Sequence, residues 1–388
     1  MFRSELLSSS ESFEAAAIAT CEACPRLCRH ACPVAETDGR ESTSPHALVT
    51  LSGHLKRARI SAEAVAPFIY HCTDCGACTS ACLHKNDVPR IVTLARHRLL
   101  LERTAPVEVK ELCGRFGVAG NPQGRSLADV VEAIAEAAGR TIVAEAPVVY
   151  LPGCMTLERS PQSAIDFLRA VSLFGVFGVE LSRTSDACCG LPLYWAGDLE
   201  GFRQHARRVA DQFAHAERLI VHDPACASAM NVRYAEVGVH LRPRVEHVVS
   251  FLADALGTES DVSAPHEGRS PPWHGTLAVA DNCAASRSLG LGPTLRNVLR
   301  RVSGSGNGNE PLELSPLADR EADCCGAGGL LPLTTPELAE EMAKARIEMF
   351  KATGGDTLVM PSPRCAAHLR EVDPTVNVLD VASLVGRV

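Results

Sequence analysis

The sequence predicts a multidomain protein in which an all-α N-terminal domain precedes two α/β units that repeat one another. Two dense runs of cysteines lie near the N-terminus, with helical apolar patterns between and after them. In the rest of the chain, strand-like apolar stretches alternate with helical ones, and one pattern of cysteines occurs twice. We therefore expect an N-terminal domain at 1–105, a linker with a helix at 106–146, and the two units at 147–256 and 274–388.

The composition of the chain excludes several classes of protein. The 388 residues carry a formal charge of −8, which argues against nucleic-acid binding because phosphate recognition needs a basic surface. The chain has no run of about 18 apolar residues, and its first residues lack the basic-then-apolar layout of a signal peptide. We expect a cytoplasmic protein, or one attached peripherally to a membrane through a partner. In such a reducing compartment, 17 cysteines indicate metal ligation rather than disulfides.

The first eight cysteines fall in two runs, CEACPRLCRHACP and CTDCGACTSAC. The second run has the spacing C-x2-C-x2-C-x3-C, which is typical of ferredoxins. In that motif three thiolates hold one cluster and the fourth holds its neighbour. The sequence therefore predicts two [4Fe–4S] clusters, the first at Cys21, Cys24, Cys28 and Cys82 and the second at Cys72, Cys75, Cys78 and Cys32.

Two details depart from the ferredoxin pattern. Three residues, not two, separate Cys24 from Cys28, and Leu83 follows Cys82 where ferredoxins usually have proline. The alternatives are two zinc sites or free thiols. Four-cysteine zinc sites usually set two C-x2-C pairs well apart, which favours iron–sulfur clusters here.

Helical periodicity surrounds the two runs. Leu48, Leu51 and Leu55 form an apolar stripe between them. After them, a second stripe is expected on a face shared by Ile91, Leu94, Leu101 and the stem of Arg98. Helices at these places indicate an all-helical ferredoxin. The domain resembles the helical ferredoxin module of heterodisulfide reductase and of succinate dehydrogenase iron–sulfur subunits.

The linker holds one cysteine outside the runs, Cys113, which we interpret as a buried thiol that packs as a small apolar residue. An alanine-rich helix is expected from Ser126 to Ala138, with Ser126 as its N-cap and Gly139 as its C-cap. Neither feature adds a predicted ligand.

The rest of the chain is an internal repeat of strand–Cys, Cys-Cys-Gly and strand–Cys. In the first copy, three segments, APVVYLPGC, DACCGLP and RLIVHDPAC, carry Cys154, Cys188, Cys189 and Cys226. In the second copy, GTLAVADNC, DCCGAGG and DTLVMPSPRC carry Cys283, Cys324, Cys325 and Cys365.

Helices are expected between these segments. The clearest is 336–351, where Thr335 is the predicted cap and a buried stripe is expected at Leu338, Met342, Ala345 and Met349. Two stretches rich in Gly, Ser, Pro or Asn, 257–275 and 303–311, are expected to form a linker between the units and a surface loop.

Strands that alternate with helices predict parallel sheets, in which sites form at the carboxyl ends of the strands. Each Cys-Cys-Gly loop and the two lone cysteines that flank it should therefore converge on a cup of four thiolates. We expect one further [4Fe–4S]-type cluster in each unit.

The repeat resembles the CCG-type cysteine-rich domain of heterodisulfide reductase subunits. The same domain occurs in the iron–sulfur subunits of glycolate oxidase, lactate utilisation systems and anaerobic glycerol-3-phosphate dehydrogenase. Catalytic heterodisulfide reductase subunits end each unit with C-x2-C, whereas here Asp223 and Ser362 replace the first cysteine of each pair. For both residues, oxygen ligation and a turn or helix-cap role stay open.

The resemblance implies a non-catalytic electron-transfer subunit. It would relay electrons from a flavin-containing dehydrogenase to a quinone or another carrier, with a membrane anchor subunit as a further partner. The alternative is a disulfide or heterodisulfide reductase that works at the CCG sites, which the missing cysteines disfavour. Two other interpretations stay open: a zinc scaffold, and C-terminal units that bind no cluster and only dock the flavoprotein.

Overall fold

A computed structural model describes residues 2–174, 178–257, 273–303, 310–315 and 323–387, with side chains from residue 12 onward. Most of the two stretches that we expected to be a linker and a surface loop, 257–275 and 303–311, lie outside these residues.

The N-terminal part consists of helices in the residues that the structure describes. They are α1 Phe2–Glu22, α2 Pro33–Asp38, α3 Pro45–Lys56, α4 Ala62–Ile69, α5 Ala77–Ala81 and α6 Val88–Leu101, with 3₁₀ turns at Leu27–Ala31 and Glu41–Thr43. Ser44 and Asp87 cap α3 and α6, because each side chain accepts a hydrogen bond from a backbone N–H in the first turn. The first cysteine run begins at Cys21 in the last turn of α1, and the second places Cys78 inside α5.

The predicted stripe of α3 is confirmed by the burial of Leu48 and Leu55, but the stripe predicted for α6 is wrong at its end. Ile91 is buried as predicted, but Leu101 is 63% exposed, and Leu99 and the charged residue Arg96 are buried instead. At about 100° per residue, Leu101 lies about 200° around the helix from Leu99 and so faces away from the core.

The segment between the N-terminal helices and the first unit is folded. It contains α7 Val107–Ala119, α8 Ala128–Ala137 and the short strand β1 Ile142–Val143. The Ser126 hydroxyl accepts a hydrogen bond from the Ala128 N–H at 3.2 Å, so it helps to start α8 although Leu127 occupies the N-cap position. Cys113 is half-buried and packs against the main core.

The first C-terminal unit is built on a parallel sheet. Its strands are β2 Val148–Leu151, β3 Val179–Ser182, β4 Arg218–Val221 and β5 Arg244–His247, and β1 joins the edge to give the order β1-β3-β2-β4-β5. The helices are α9 Cys154–Arg159, α10 Pro161–Leu173, α11 Leu191–Ala196, α12 Leu199–Gln212, α13 Pro224–Ser228, α14 Tyr234–Glu236 and α15 Val248–Ala255, with a π turn at Ala229–Arg233.

The second unit repeats the order of the first. Its parallel strands are β6 Leu277–Val279, β7 Leu312–Glu313, β8 Thr357–Met360 and β9 Val378–Asp380, in the order β7-β6-β8-β9. The helices are α16 Gly292–Ser303, α17 Leu331–Thr334, α18 Pro336–Thr353, α19 Pro363–Val372 and α20 Val381–Val385, with a π turn at Ala284–Ser288. The protein is therefore mixed α/β with parallel sheets in its C-terminal part.

Helix α18 begins at Pro336 as expected, but its capping and its buried face differ in detail from the prediction. The Thr335 side chain makes no capping hydrogen bond. Leu338 and Met342 are buried, whereas Ala345 is exposed and Ile347 is buried instead. The buried face is therefore rotated relative to the predicted stripe.

The units pack on one another and on the N-terminal helices. Helix α10 lies on α20, α15 lies on α16, and α6 contacts α11. A buried polar contact also joins the two units, since His222 Nε2 and Asp380 Oδ1 are 3.1 Å apart. None of the described helices combines the length and apolar character needed to cross a bilayer.

Candidate metal centres

Parallel pairing brings the cysteines of the first unit together. Cys154 follows β2 and Cys226 follows β4, the strand next to it, so both lie at the same sheet edge. The Cys-Cys-Gly loop arrives there from β3. The sulfur atoms of Cys154 and Cys188 are 3.2 Å apart, and those of Cys189 and Cys226 are 3.1 Å apart. The structure thus gathers all four thiols of the first predicted cup.

The second unit gathers its thiols in the same way. Cys283 and Cys365 follow the paired strands β6 and β8. The sulfur atoms of Cys325 and Cys365 are 2.9 Å apart, and the thiol of Cys324 is hydrogen-bonded to Cys283 and to Cys325.

In the N-terminal domain, Cys21, Cys24, Cys28 and Cys82 are close neighbours, since they interact electrostatically with one another. The extra residue of the first run is absorbed by Arg26, which adopts the left-handed conformation with φ 70° and starts the 3₁₀ turn. The turn then presents Cys28 to the other three thiols.

The second predicted set lies against the second C-terminal unit. Cys78 has Cys72 and Cys32 as neighbours, and the thiol of Cys75 is hydrogen-bonded to Cys324. The second cysteine run can contact the second unit this closely because glycines follow the pair Cys324-Cys325 in that unit. A Cβ on Gly329 would lie 2.1 Å from the Cys72 carbonyl oxygen, and the φ of 62° at Gly329 also favours glycine. Sequence reasoning missed this contact, although the pattern CCGAGG was visible.

Three arginines from different parts of the chain hold the loop of the second run. Arg96 donates to the Cys72 carbonyl at 2.7 Å, and Arg287 donates to the Cys75 carbonyl at 3.0 Å. Arg233 lies 3.1 Å from Asp74. No sequence signal singled out these residues, because each reaches the loop from a helix or turn outside the run itself.

Hydrogen bonds to sulfur test whether these sites fit iron–sulfur clusters. Amide groups of Asn86 and Asn282 donate to the sulfurs of Cys21 and Cys365 at 3.3 and 3.2 Å. The backbone N–H of each CCG glycine donates to the first cysteine of its pair, at 3.4 Å in the first unit and 3.5 Å in the second. Such bonds stabilise cluster thiolates and tune their potentials.

All 17 cysteines are free thiols. Within the described part of the chain, no His, Cys, Asp or Glu side chains form a group of three or more with the geometry to hold a metal ion. The donor chemistry, rather than a preformed ion geometry, is therefore what fits iron–sulfur clusters at these sites.

Burial and mutual contact set the protonation of the thiols. Burial raises the pKa of Cys28 to about 11 and that of Cys32 to about 12. In the two units, hydrogen bonds with neighbouring thiols hold the pKa of Cys189 and of Cys324 well below the ordinary value. Because metal ligands must be deprotonated, a cluster bound by Cys28 or Cys32 would release protons on assembly.

The two residues that replace cysteines are helix caps. Asp223 accepts a hydrogen bond from the Ala225 N–H at 2.8 Å at the start of α13, and Ser362 accepts one from the Cys365 N–H at 3.3 Å at the start of α19. Arg364 lies 3.5 Å from Asp223 and 5.0 Å from the centre of the Trp195 ring. The structure therefore supplies the cap role that the sequence left open.

A pocket with mainly apolar walls lies beside the thiols of the first unit. Cys154, Cys189 and Cys226 contribute to its lining, in which Arg364 and the carboxylate of Asp223 lie 3.5 Å apart.

Comparisons with known proteins agree with this arrangement. A family model described as a 4Fe-4S dicluster domain matches residues 17–86, and one described as a CCG cysteine-rich domain matches residues 148–231 and 278–370. All the cysteines of the four predicted sets therefore lie within the matched residues.

Three curated relatives span different shares of the chain. A subunit of the fumarate reductase (CoM/CoB) from Methanothermobacter marburgensis is 24% identical over 89% of this chain and 66% of its own length. A subunit of the dihydromethanophenazine:CoB–CoM heterodisulfide reductase from Methanosarcina mazei is 24% identical over 80% of this chain and 74% of its own. Lactate utilization protein A 1 from Bacillus mycoides is 24% identical over 50% of this chain and 76% of its own length. The chain thus spans slightly less than two thirds of the first relative.

Fold, thiols and matched domains together define an iron–sulfur protein. The chain belongs with the iron–sulfur proteins that combine a 4Fe-4S dicluster domain with CCG cysteine-rich domains. Its relatives include the subunits of heterodisulfide reductase and of fumarate reductase (CoM/CoB) described above, and lactate utilization protein A.

Proposed function

We propose that this chain is the iron–sulfur electron-transfer subunit of an oxidoreductase complex. It relays electrons from a flavin-containing dehydrogenase to a quinone or another carrier. In this proposal, the four cysteine sets named above are the cluster ligands, two sets in the N-terminal domain and one in each C-terminal unit.

The observation that carries the proposal is the continuity of the four sets. The first and second sets are neighbours through Cys28 and Cys78. The second set meets the second unit where Cys75 contacts Cys324. Arg364 then interacts electrostatically with thiols of both units, Cys365 and Cys226 among them. An electron can therefore pass along neighbouring sites without crossing a large gap.

Each bound [4Fe–4S] cluster would supply one-electron redox chemistry. The residues of the chain would supply the ligands, exclude water and set the potentials. Burial of Cys189, Cys324 and Cys325 keeps water from their sulfurs, and the N–H and amide donors described above favour the more negative, reduced state.

Exposed apolar side chains beside the first set make it the proposed point of exchange with a partner. Cys24, Cys28 and Cys82 are half-buried rather than buried. The apolar side chains Leu27 and Leu83 flank them and are 55% and 84% exposed. We propose that the flavin-containing partner docks at this surface.

The test is a count of iron and acid-labile sulfide in protein purified without oxygen. About sixteen irons per chain are expected for the wild type, and about four fewer in Cys189→Ser and in Cys325→Ser. Cys113→Ser is the matched control, since Cys113 lies outside all four sets. Unchanged iron in both CCG variants would overturn their assignment, and zinc in place of iron would overturn the proposal as a whole.

A second candidate function is disulfide reduction in the first unit, which is favoured by the pocket beside Cys189 and Cys226. Turnover of organic disulfides with a reduced viologen tests it. Sustained turnover that Cys189→Ser abolishes would favour the reductase over the relay. No turnover by protein with its full iron content would leave the relay as the function.

A further inference from the structure

Arg96 is a buried arginine whose side chain reaches all three parts of the molecule. It is only 1% exposed. Its guanidinium donates five hydrogen bonds to four backbone carbonyls, at distances from 2.7 Å to Cys72 to 3.2 Å to Ile69, with Trp195 and Gly329 as the other two acceptors. Cys72 begins the second cysteine run and Ile69 lies just before it, whereas Trp195 belongs to the first unit and Gly329 to the second. One side chain therefore ties the second run to both units.

The hydrogen-bond partners of Arg96 do not neutralise its charge. Every one of them in the described part of the chain is a neutral carbonyl. The carboxylate that acts on it from nearby, Asp74, forms its ion pair with Arg233 at 3.1 Å. Burying a guanidinium is costly unless negative charge compensates it. A cluster on the second run would provide that charge, because four thiolates outweigh the positive charge of the iron–sulfur core.

We propose that Arg96 is a positioning residue for the cluster of the second run, and that its fixed charge raises the reduction potential of that cluster. The inference rests on the proposed function. Reduction adds a negative charge, so a buried cation close to the ligand loop stabilises the reduced form. Arg287 acts in the same direction, since it donates to the Cys75 carbonyl at 3.0 Å.

The geometry separates the two roles of Arg96. Its planar fork contacts carbonyls on three segments at once, which a lysine ammonium cannot reproduce. Its charge, in contrast, survives replacement by lysine. Arg96→Lys should therefore loosen the junction with a small effect on potential, whereas Arg96→Met removes both the fork and the charge.

The experiment is an EPR-monitored redox titration of the complete protein. Arg96→Met should lower the equilibrium constant for reduction of one cluster by at least tenfold, which lowers its reduction potential by about 59 mV for one electron. The potentials of the other clusters should not change. Arg287→Met should lower the same potential, which keeps the test valid if Arg96→Met fails to fold. Arg103→Met, an exposed charge just beyond α6, is the control and should shift none.

Unchanged potentials in Arg96→Met and Arg287→Met with full iron content would overturn the inference and leave Arg96 a purely structural residue. An equal shift of every potential would also overturn it, because the effect would then not be local to the second run. Failure of the proposed function looks different, since the wild type itself would then lack the clusters.

Discussion

The hydroxyl of Ser362 lies 3.4 Å from the carboxylate of Asp223, so the two residues that stand where related reductases have cysteines face each other across the two units. Each also caps the helix that carries the last cysteine of its unit. Their contact shows how both positions can serve the fold without serving as ligands.

Substitutions of Asp223 distinguish its role as a helix cap from a role as a cluster ligand. Asp223→Ala removes the cap of α13 and the carboxylate beside Arg364, and it should lower the free energy of unfolding by about 1–3 kcal/mol. Asp223→Asn keeps a capping oxygen and should cost less than about 1 kcal/mol. Thermal unfolding and iron analysis of both variants check this prediction. Loss of iron in Asp223→Asn would show instead that the carboxylate is a ligand.

Gly329 permits the contact between the second unit and the second run. An alanine there would meet the Cys72 carbonyl oxygen, so Gly329→Ala should lower the melting temperature and the iron content together. Gly354→Ala is the matched control, since Gly354 has a similar φ of 72° but no atom within 4 Å of the Cβ that alanine would add. It should cost only about 1 kcal/mol. Equal losses in the two variants would contradict the close approach.

His247 should make the protein sensitive to acid. Burial, with a smaller effect of His222, lowers the pKa of His247 to about 3, and its Nδ1 caps α15 by accepting from the Val249 N–H. The unfolded chain binds the proton near pH 6.5, so the stability from the neutral ring is present above that pH and is lost as the pH falls towards about 3.

Asparagine at position 247 keeps a cap and cannot titrate. Between pH 7 and pH 5 the wild type should therefore lose about 2 kcal/mol more than His247→Asn. Chemical unfolding at both pH values, on protein with the same iron content, measures the difference. Parallel losses in wild type and variant would rule out this residue as the source of acid sensitivity.

The exposed leucine beside the first set should matter for partner binding. Leu83→Glu places a charge on the proposed docking surface, so it should reduce the flavin that copurifies with the tagged chain, with no loss of iron. Val118→Glu is the control, because Val118 is 81% exposed on α7. Equal flavin in Leu83→Glu and wild type would mean that the partner docks elsewhere.

The candidate metal ligands and the fold class of this protein could be predicted from its sequence. Cysteine spacing is a local property, so the two runs, the repeated CCG pattern and the alternation of strands and helices could all be predicted. The order β7-β6-β8-β9 of the second unit matches the order β3-β2-β4-β5 of the first, in keeping with the repeated pattern of strands and helices.

How the four sets meet depends on the folded chain as a whole. Gly329 lies against Cys72, and Arg96 bonds to Trp195 and Gly329, although these residues are far apart in sequence. Periodicity placed Leu101 on the wrong face for the same reason, since a buried face is chosen by the neighbours that pack against it. The spacing of the cysteines is local and determines which ligands a segment can offer. Packing of the whole chain determines which segments contact one another and which charged side chains, such as Arg96, are buried between them.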